Sequence, residues 1–143
     1  MKLKLNAEGA EPIKVLAIMS YEPQYKVAWL LNQMFGWNLA ESEVLNITSK
    51  EMNEIRQFVV FSWSNAENGS NYYLIQNKCA CGLLEPTMRV VDYWLRIEGD
   101  ADMSDISLNI KKIEGVQMTQ EMKPDNFKKK SVVFRSPLYQ SNL

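Results

Sequence analysis

The chain has 143 residues, a mass of 16.5 kDa, 46% apolar and 23% charged residues, and no histidine. That composition is one globular domain's worth of sequence. It excludes disordered, collagenous and disulfide-framework classes, as well as imidazole-dependent triads, histidine zinc sites and imidazole pH switches. The net charge of -1 is uneven. Residues 123–143 carry Lys123, Lys128, Lys129, Lys130 and Arg135 against Asp125, a net +4, and leave an acidic -5 on residues 1–122. An acidic body repels phosphate backbones, so no nucleic-acid partner is expected. No apolar run approaches the ~20 residues that span a bilayer, so no membrane partner is expected either. The opening Met1-Lys2-Leu3-Lys4-Leu5-Asn6 lacks the apolar core of a signal peptide, which makes a cytoplasmic location the expectation.

Residues 1–12 read as a polar arm, in which Leu3 and Leu5 can add an edge strand. Residues 13–19 are almost wholly apolar and suit a strand buried on both faces. A helix then starts at Ser20 or Glu22, with Pro23 tolerated in its first turn. Val27, Leu30, Leu31, Met34 and Phe35 form its apolar face, and Gly36 is its left-handed stop. Residues 43–48 suit a short strand. Ile55 to Trp63 is a firmer one, rich in aromatic and β-branched residues. Asn68-Gly69 closes a turn back into Tyr72–Gln76, the clearest hairpin of the chain. Lys78 to Pro86 is a connection.

Val90 to Ile97 alternates. Val91, Tyr93, Leu95 and Ile97 are expected on a buried face, and Asp92, Trp94 and Arg96 on a polar one. Gly99 breaks that strand, and Asp102 caps a helix striped by Met103, Ile106, Ile110 and Ile113 and ended by Gly115. Val116, Met118 and Met122 alternate in a further strand, and Ser131–Phe134 suits one more short strand. Residues 123–143 otherwise read as a solvated basic tail. The expectation is a single α+β domain over 1–143, ordered β-α-β-β-β-β-α-β. Its sheet is mixed or antiparallel, with both helices on one face, of ferredoxin-like type with an added hairpin.

Residues 25–39, Tyr-Lys-Val-Ala-Trp-Leu-Leu-Asn-Gln-Met-Phe-Gly-Trp-Asn-Leu, together with Tyr72–Lys78, Gly82-Leu-Leu, Pro86 and Val91-Asp92-Tyr93, resemble a bacterial family named for an Ile-Pro-Glu-x-x-x-Val-Asp-Tyr motif. The resemblance runs over about residues 13–122. Glu85 stands where that motif has Ile, and Thr87 where it has Glu. The resemblance implies a small cytoplasmic bacterial protein and brings no activity, substrate or cofactor with it.

Chemistry-bearing residues are few. Cys79-Ala80-Cys81 can offer two thiolates to a soft metal, but no third cysteine or histidine completes a zinc set, so no metal or cofactor is expected. Asp92 beside Trp94, with Glu85 nearby in sequence, is the carboxylate candidate for acid–base work; no spacing brings the two together. Lys128-Lys129-Lys130 is too small a basic cluster for nucleic acid, and phosphate-loop glycine patterns are absent. Tyr25, Trp29 and Asn32 form a second stripe on the first helix, and Trp63, Tyr72 and Trp94 an aromatic set near the hairpin. These are anchor-type residues. The leading expectation is therefore a non-enzymatic interaction or assembly module, self-associating as a homodimer, with Tyr25, Trp29, Asn32, Asp92 and Trp94 as binding residues. The alternatives are a small-molecule-sensing domain and, behind it, an enzyme using Asp92, Glu85 or a cysteine.

Overall fold

The computed structural model describes residues 12–49, 53–127 and 129–139. The expected arm and its possible strand at Leu3 and Leu5 lie outside the described residues, apart from Pro12, as does Lys128 of the lysine run. The elements are β1 (Ile13–Ser20), α1 (Gln24–Phe35), β2 (Ala40–Ser49), β3 (Glu54–Asn65), β4 (Ser70–Gln76), β5 (Lys78–Cys79), β6 (Gly82–Leu83), β7 (Tyr93–Glu98), α2 (Met103–Ile110) and β8 (Val116–Met122). This is an α+β fold. Six strands form one antiparallel sheet in the order β2-β3-β4-β7-β1-β8, and β5 and β6 form a separate two-stranded hairpin within the Lys78–Pro86 connection.

Alternation along the strands sends apolar residues to both faces of this sheet. Leu16, Ile18, Tyr72, Leu74, Leu95 and Ile97 point one way and pack with Val27, Ala28 and Leu31 of α1 and Met103 and Ile110 of α2. Both helices therefore cover the same face. Helix α1 is centred on Val27, Ala28 and Leu31; Leu30 and Phe35 are half-buried and Met34 is exposed, so the expected stripe is rotated by part of a turn. Gly36 ends the helix at φ 70°, donating its N–H to Asn32 O at 2.9 Å. Gly99 follows β7 at φ 151°, where an added Cβ would lie 2.1 Å from Ser70 Oγ, so that corner requires glycine.

The opposite face corrects the sequence reading of β7. Trp94 and Arg96, expected on a polar face, are both 0% exposed. Ala17 stands directly across from Trp94 on β1 and makes room for the indole. Val91 does not share the side of Leu95 and Ile97; it packs with Trp94, because β7 begins only at Tyr93 and residues 84–92 are turns in which strand alternation does not hold. The cover over this face is the C-terminal segment. Phe127, Val132, Val133, Phe134 and Leu138 are buried against Val15, Ala17, Phe58, Val60, Ile75 and Trp94. The tail is thus not a solvated appendage over its described residues. Its lysines hid an apolar series that the sheet needs, and Val132–Phe134 is a 3-10 turn rather than a strand.

Arg96 ties this cover down. Its Nη1 donates to Val133 O at 2.8 Å, its Nε and Nη2 donate to Glu98 Oε2 at 3.1 and 2.7 Å, and its guanidinium lies 5.8 Å from the centre of the Tyr73 ring. At the other edge, β8 buries Thr119 and Met122. Met118 shares a face with Met122 but lies at the far end of this edge strand and is 54% exposed, against expectation.

Two tests follow from this packing. Arg96→Ala removes the partner of Glu98 and of Val133 O and is expected to destabilise the fold by about 3–5 kcal/mol in urea titration. Tyr73 and Tyr139 pack edge to face at 6.4 Å; burial foremost raises the Tyr73 phenol and pushes Tyr139 up to about 12. The folded phenols hold their protons where unfolded tyrosines, near 10.0, have lost them. Stability should be full below about pH 10 and fall as pH rises towards the folded values. The slope measured between them should flatten in Tyr139→Phe.

Candidate functional site

The residues singled out from sequence go to different places. Tyr25 is 68% and Trp29 56% exposed on the outer face of α1, and Tyr21, before it, is 88% exposed. Tyr25 and Trp29, four apart within α1, share one helix face, whereas Tyr21 lies in the bend before the helix begins at Gln24. Asn32 does not join them. Its Nδ2 donates to Leu39 O at 3.1 Å and its Oδ1 accepts from Leu39 N at 2.9 Å, so its amide ties α1 to the chain entering β2. Lys26 lies in the same turn, 3.6 Å from Glu22.

Asp92 and Trp94 lie away from that stripe and hold the fold. Asp92 Oδ2 accepts from Ser20 N at 2.8 Å and Oδ1 pairs with Lys78 Nζ at 3.0 Å, which engages both oxygens in joining the end of β1 and the start of β5 to the start of β7. Trp94 is core on the sheet face opposite the helices, its Nε1 donating to Asn77 Oδ1 at 2.9 Å. Asn77 is 0% exposed and was not singled out from sequence. Its Nδ2 donates to Met88 O at 3.0 Å and Val91 O at 2.8 Å, and its Oδ1 also accepts from Glu85 N at 3.0 Å. The stretch resembling the Ile-Pro-Glu-x-x-x-Val-Asp-Tyr motif is wrapped around this one amide. Tyr93 adds a bond from its hydroxyl to Glu22 O at 2.6 Å, and burial foremost raises its phenol, with the Asp92 and Glu22 charges acting in the same direction.

Glu85 is not paired with Asp92. It borders a groove of about 400 Å³ with Ile47, Leu84, Lys129, Lys130 and Arg135. Cys79 and Cys81 are free thiols on the β5–β6 hairpin, half-buried and exposed respectively. Among the described residues no three histidine, cysteine, aspartate or glutamate side chains gather as a metal-binding group.

The structure brings together one constellation that the sequence showed only in part. Trp63 and Tyr72 are directly opposed across the β3–β4 hairpin and stack at 5.2 Å. Trp37 packs on Tyr72 at 4.7 Å and Phe35 stacks on Trp37 at 4.6 Å, giving a row of four rings. Trp94 belongs to the opposite sheet face and is not part of the row. The row borders an open cavity of about 600 Å³, whose rim is the β3–β4 turn with Asn65, Glu67 and Asn68. The signal for Phe35 and Trp37 was their place on either side of Gly36: a left-handed stop turns the chain back, and the two flanking rings meet. Hairpin register then sets Trp63 against Tyr72.

No family model matches the chain, and no curated protein is significantly similar to it. Among the described residues, no helix is long and apolar enough to cross a membrane.

The two tryptophan environments separate in a stability measurement. Trp29→Ala, on the exposed face of α1, should change the unfolding free energy by less than about 1 kcal/mol, whereas Trp94→Ala, at the centre of the covered face, should cost about 3–5 kcal/mol. Urea unfolding followed by circular dichroism reads both.

Proposed function

We propose that this protein is a non-enzymatic interaction module that pairs with a second copy of itself through α1. The observation that carries this reading is the pair Tyr25 and Trp29, two large rings left in solvent on one face of α1, with the exposed Tyr21 in the bend just before the helix. Rings are costly to leave exposed and are the residues most enriched where protein surfaces meet. The surroundings suit self-association. Glu22, Lys26 and Glu114 border a groove with Tyr21 at the start of α1, so the surface beside the rings carries both signs of charge. A two-fold axis through the stripe sets the lysine of each copy towards the carboxylates of the other. The free thiols Cys79 and Cys81 suit the reducing cytoplasm, where we place the protein.

The strand order supports a ferredoxin-like reading of the fold. With β2 and β3 set aside, β4-β7-β1-β8 is a four-stranded antiparallel sheet. Helix α1 precedes the inserted pair β2–β3, and α2 links β7 to β8. We read β2 and β3 as the added pair. We also keep the resemblance to the Ile-Pro-Glu-x-x-x-Val-Asp-Tyr family as a proposal in which the motif serves the fold: Asp92 and Tyr93 are engaged with Ser20, Lys78 and Glu22. A second reading, the binding of a small molecule, is favoured by the aromatic row beside its open cavity.

Sedimentation equilibrium tests the first reading. The wild type should show a monomer–dimer equilibrium, and Trp29→Ala should weaken it about 30-fold or more, as loss of a central ring anchor does. The melting temperature of the wild type should rise with protein concentration, and that rise should vanish in Trp29→Ala. A wild type that stays monomeric at high concentration overturns the self-association reading.

A further inference from the structure

The cavity beside the aromatic row has a chemistry of its own, and its ligand class can be argued from the atoms that line it. The inference rests on the small-molecule reading and is independent of the α1 contact. In the row Phe35–Trp37–Tyr72–Trp63, each inner ring is packed between two neighbours at 4.6 to 5.2 Å. Its faces are therefore largely spent, and what remains for a ligand is the terminal rings and the ring edges. An organic cation is held best by several free ring faces turned inward, which this row does not provide. A single terminal ring such as Trp63, half-buried at the cavity, is instead a flat platform for one apolar ligand face.

The polar atoms around that platform are mostly donors without a protein partner. Among the described residues the indole N–H groups of Trp63 and Trp37 and the Tyr72 hydroxyl donate no hydrogen bond, and none of the three is a fully buried unpartnered group. Asn65 Oδ1 accepts from Glu67 N, and Asn68 Oδ1 accepts from Ser70 N, both at 2.9 Å. Each amide is thereby fixed by its oxygen, and its Nδ2 is left to donate outward. Glu67 adds one carboxylate, an acceptor only. Among the described residues no cationic side chain lines the cavity, so a phosphate or carboxylate group finds no counter-charge from them there.

The ligand that meets these terms is uncharged and has one apolar ring face. Around its edge it carries groups that accept from N–H donors and donate to a carboxylate. Hydroxyl groups do both. We propose that this cavity is a binding site for a neutral saccharide, with a pyranose ring stacked on Trp63 and its hydroxyls bonded to Asn65, Glu67 and Asn68. A cavity of about 600 Å³ falls in the range of small-molecule sites and accommodates one or two sugar rings.

The test is calorimetric titration, with tryptophan fluorescence in parallel, using glucose, galactose, mannose, N-acetylglucosamine, maltose and cellobiose. Tetramethylammonium chloride and AMP serve as cationic and anionic probes. At least one sugar should bind saturably at millimolar concentration or tighter. Trp63→Phe, which keeps a ring but loses the N–H and half the platform, should weaken that sugar at least ten-fold. Asn68→Ala, on an exposed turn, should weaken it several-fold. Circular dichroism and the melting temperature identify any variant that has lost its fold, and the exposed Asn68 site then carries the test. Sugar binding that is indifferent to both substitutions overturns the assignment of the site. Saturable binding of tetramethylammonium or AMP with no sugar binding overturns the ligand class while leaving the small-molecule reading standing. Binding of none of the probes overturns the saccharide proposal.

Discussion

Arg96, with no exposed surface, places a full positive charge between β7 and the C-terminal segment. A charge there is tolerable only with its hydrogen bonds made and a counter-charge at hand. Both conditions are met in one fork: Glu98 takes Nε and Nη2, and the Val133 carbonyl takes Nη1. The third contact is the consequential one, because Val133 is fifth-wheel sequence as far as the sheet is concerned. It belongs to no strand, yet it is fully buried. Through it the guanidinium anchors a cover of Phe127, Val132, Phe134 and Leu138 over the sheet face that the helices do not reach. Glu98 is itself held by Asn71 Nδ2 at 3.1 Å from the neighbouring β4, so the fork is braced across two strands.

Asn77 plays the corresponding part for the loop between β4 and β7. One buried amide satisfies two carbonyls, one backbone N–H and the Trp94 indole. Its backbone adds a bond from its N–H to Asp92 O at 3.0 Å and receives one from Leu84 N at 2.7 Å. A long turn carries many backbone groups that a strand would have paired, and burying them unpaired is costly. Asn77 gathers them at one point. The loop then lays Leu84 and Val91 onto the same cluster as the C-terminal cover, and the two segments together close that face. Asp92, at the end of the loop, is spent on the same task.

In the middle of the molecule the Asp92 carboxylate, the Trp94 indole and the Arg96 guanidinium are committed to architecture. What is left over lies at the periphery, in aromatic rings. Those of α1 stand out in solvent, while those of the hairpin and the helix exit stack on one another and border a cavity. The first arrangement suits a flat macromolecular surface, which must cover whole rings. The second suits a small ligand, which needs one ring face and a few directed bonds. The two proposed sites use different residues, so occupation of one does not require occupation of the other.

The order of elements was legible in the sequence because it depends on local periodicity and punctuation. The six sheet strands and two helices follow from the apolar run at 13–19, the hairpin turn at Asn68-Gly69, the Asp102 cap and the Gly36 and Gly99 breaks. The exposed line of Tyr25 and Trp29 was legible for the same reason, since four-residue spacing is a property of the helix itself. Burial on the far face was not. Whether Trp94 and Arg96 face water or core depends on what lies over β7, and the cover comes from residues more than thirty positions later, within a segment whose lysines mark it as solvated. The side taken by Val91 depended on where pairing begins, which Asn77 decides by holding residues 84–92 as turns. The aromatic row joins a helix exit to a hairpin register, and only tertiary packing sets those two side by side. Periodicity along the chain reports which residues share a face of one element; it carries no information about which distant segment covers that face.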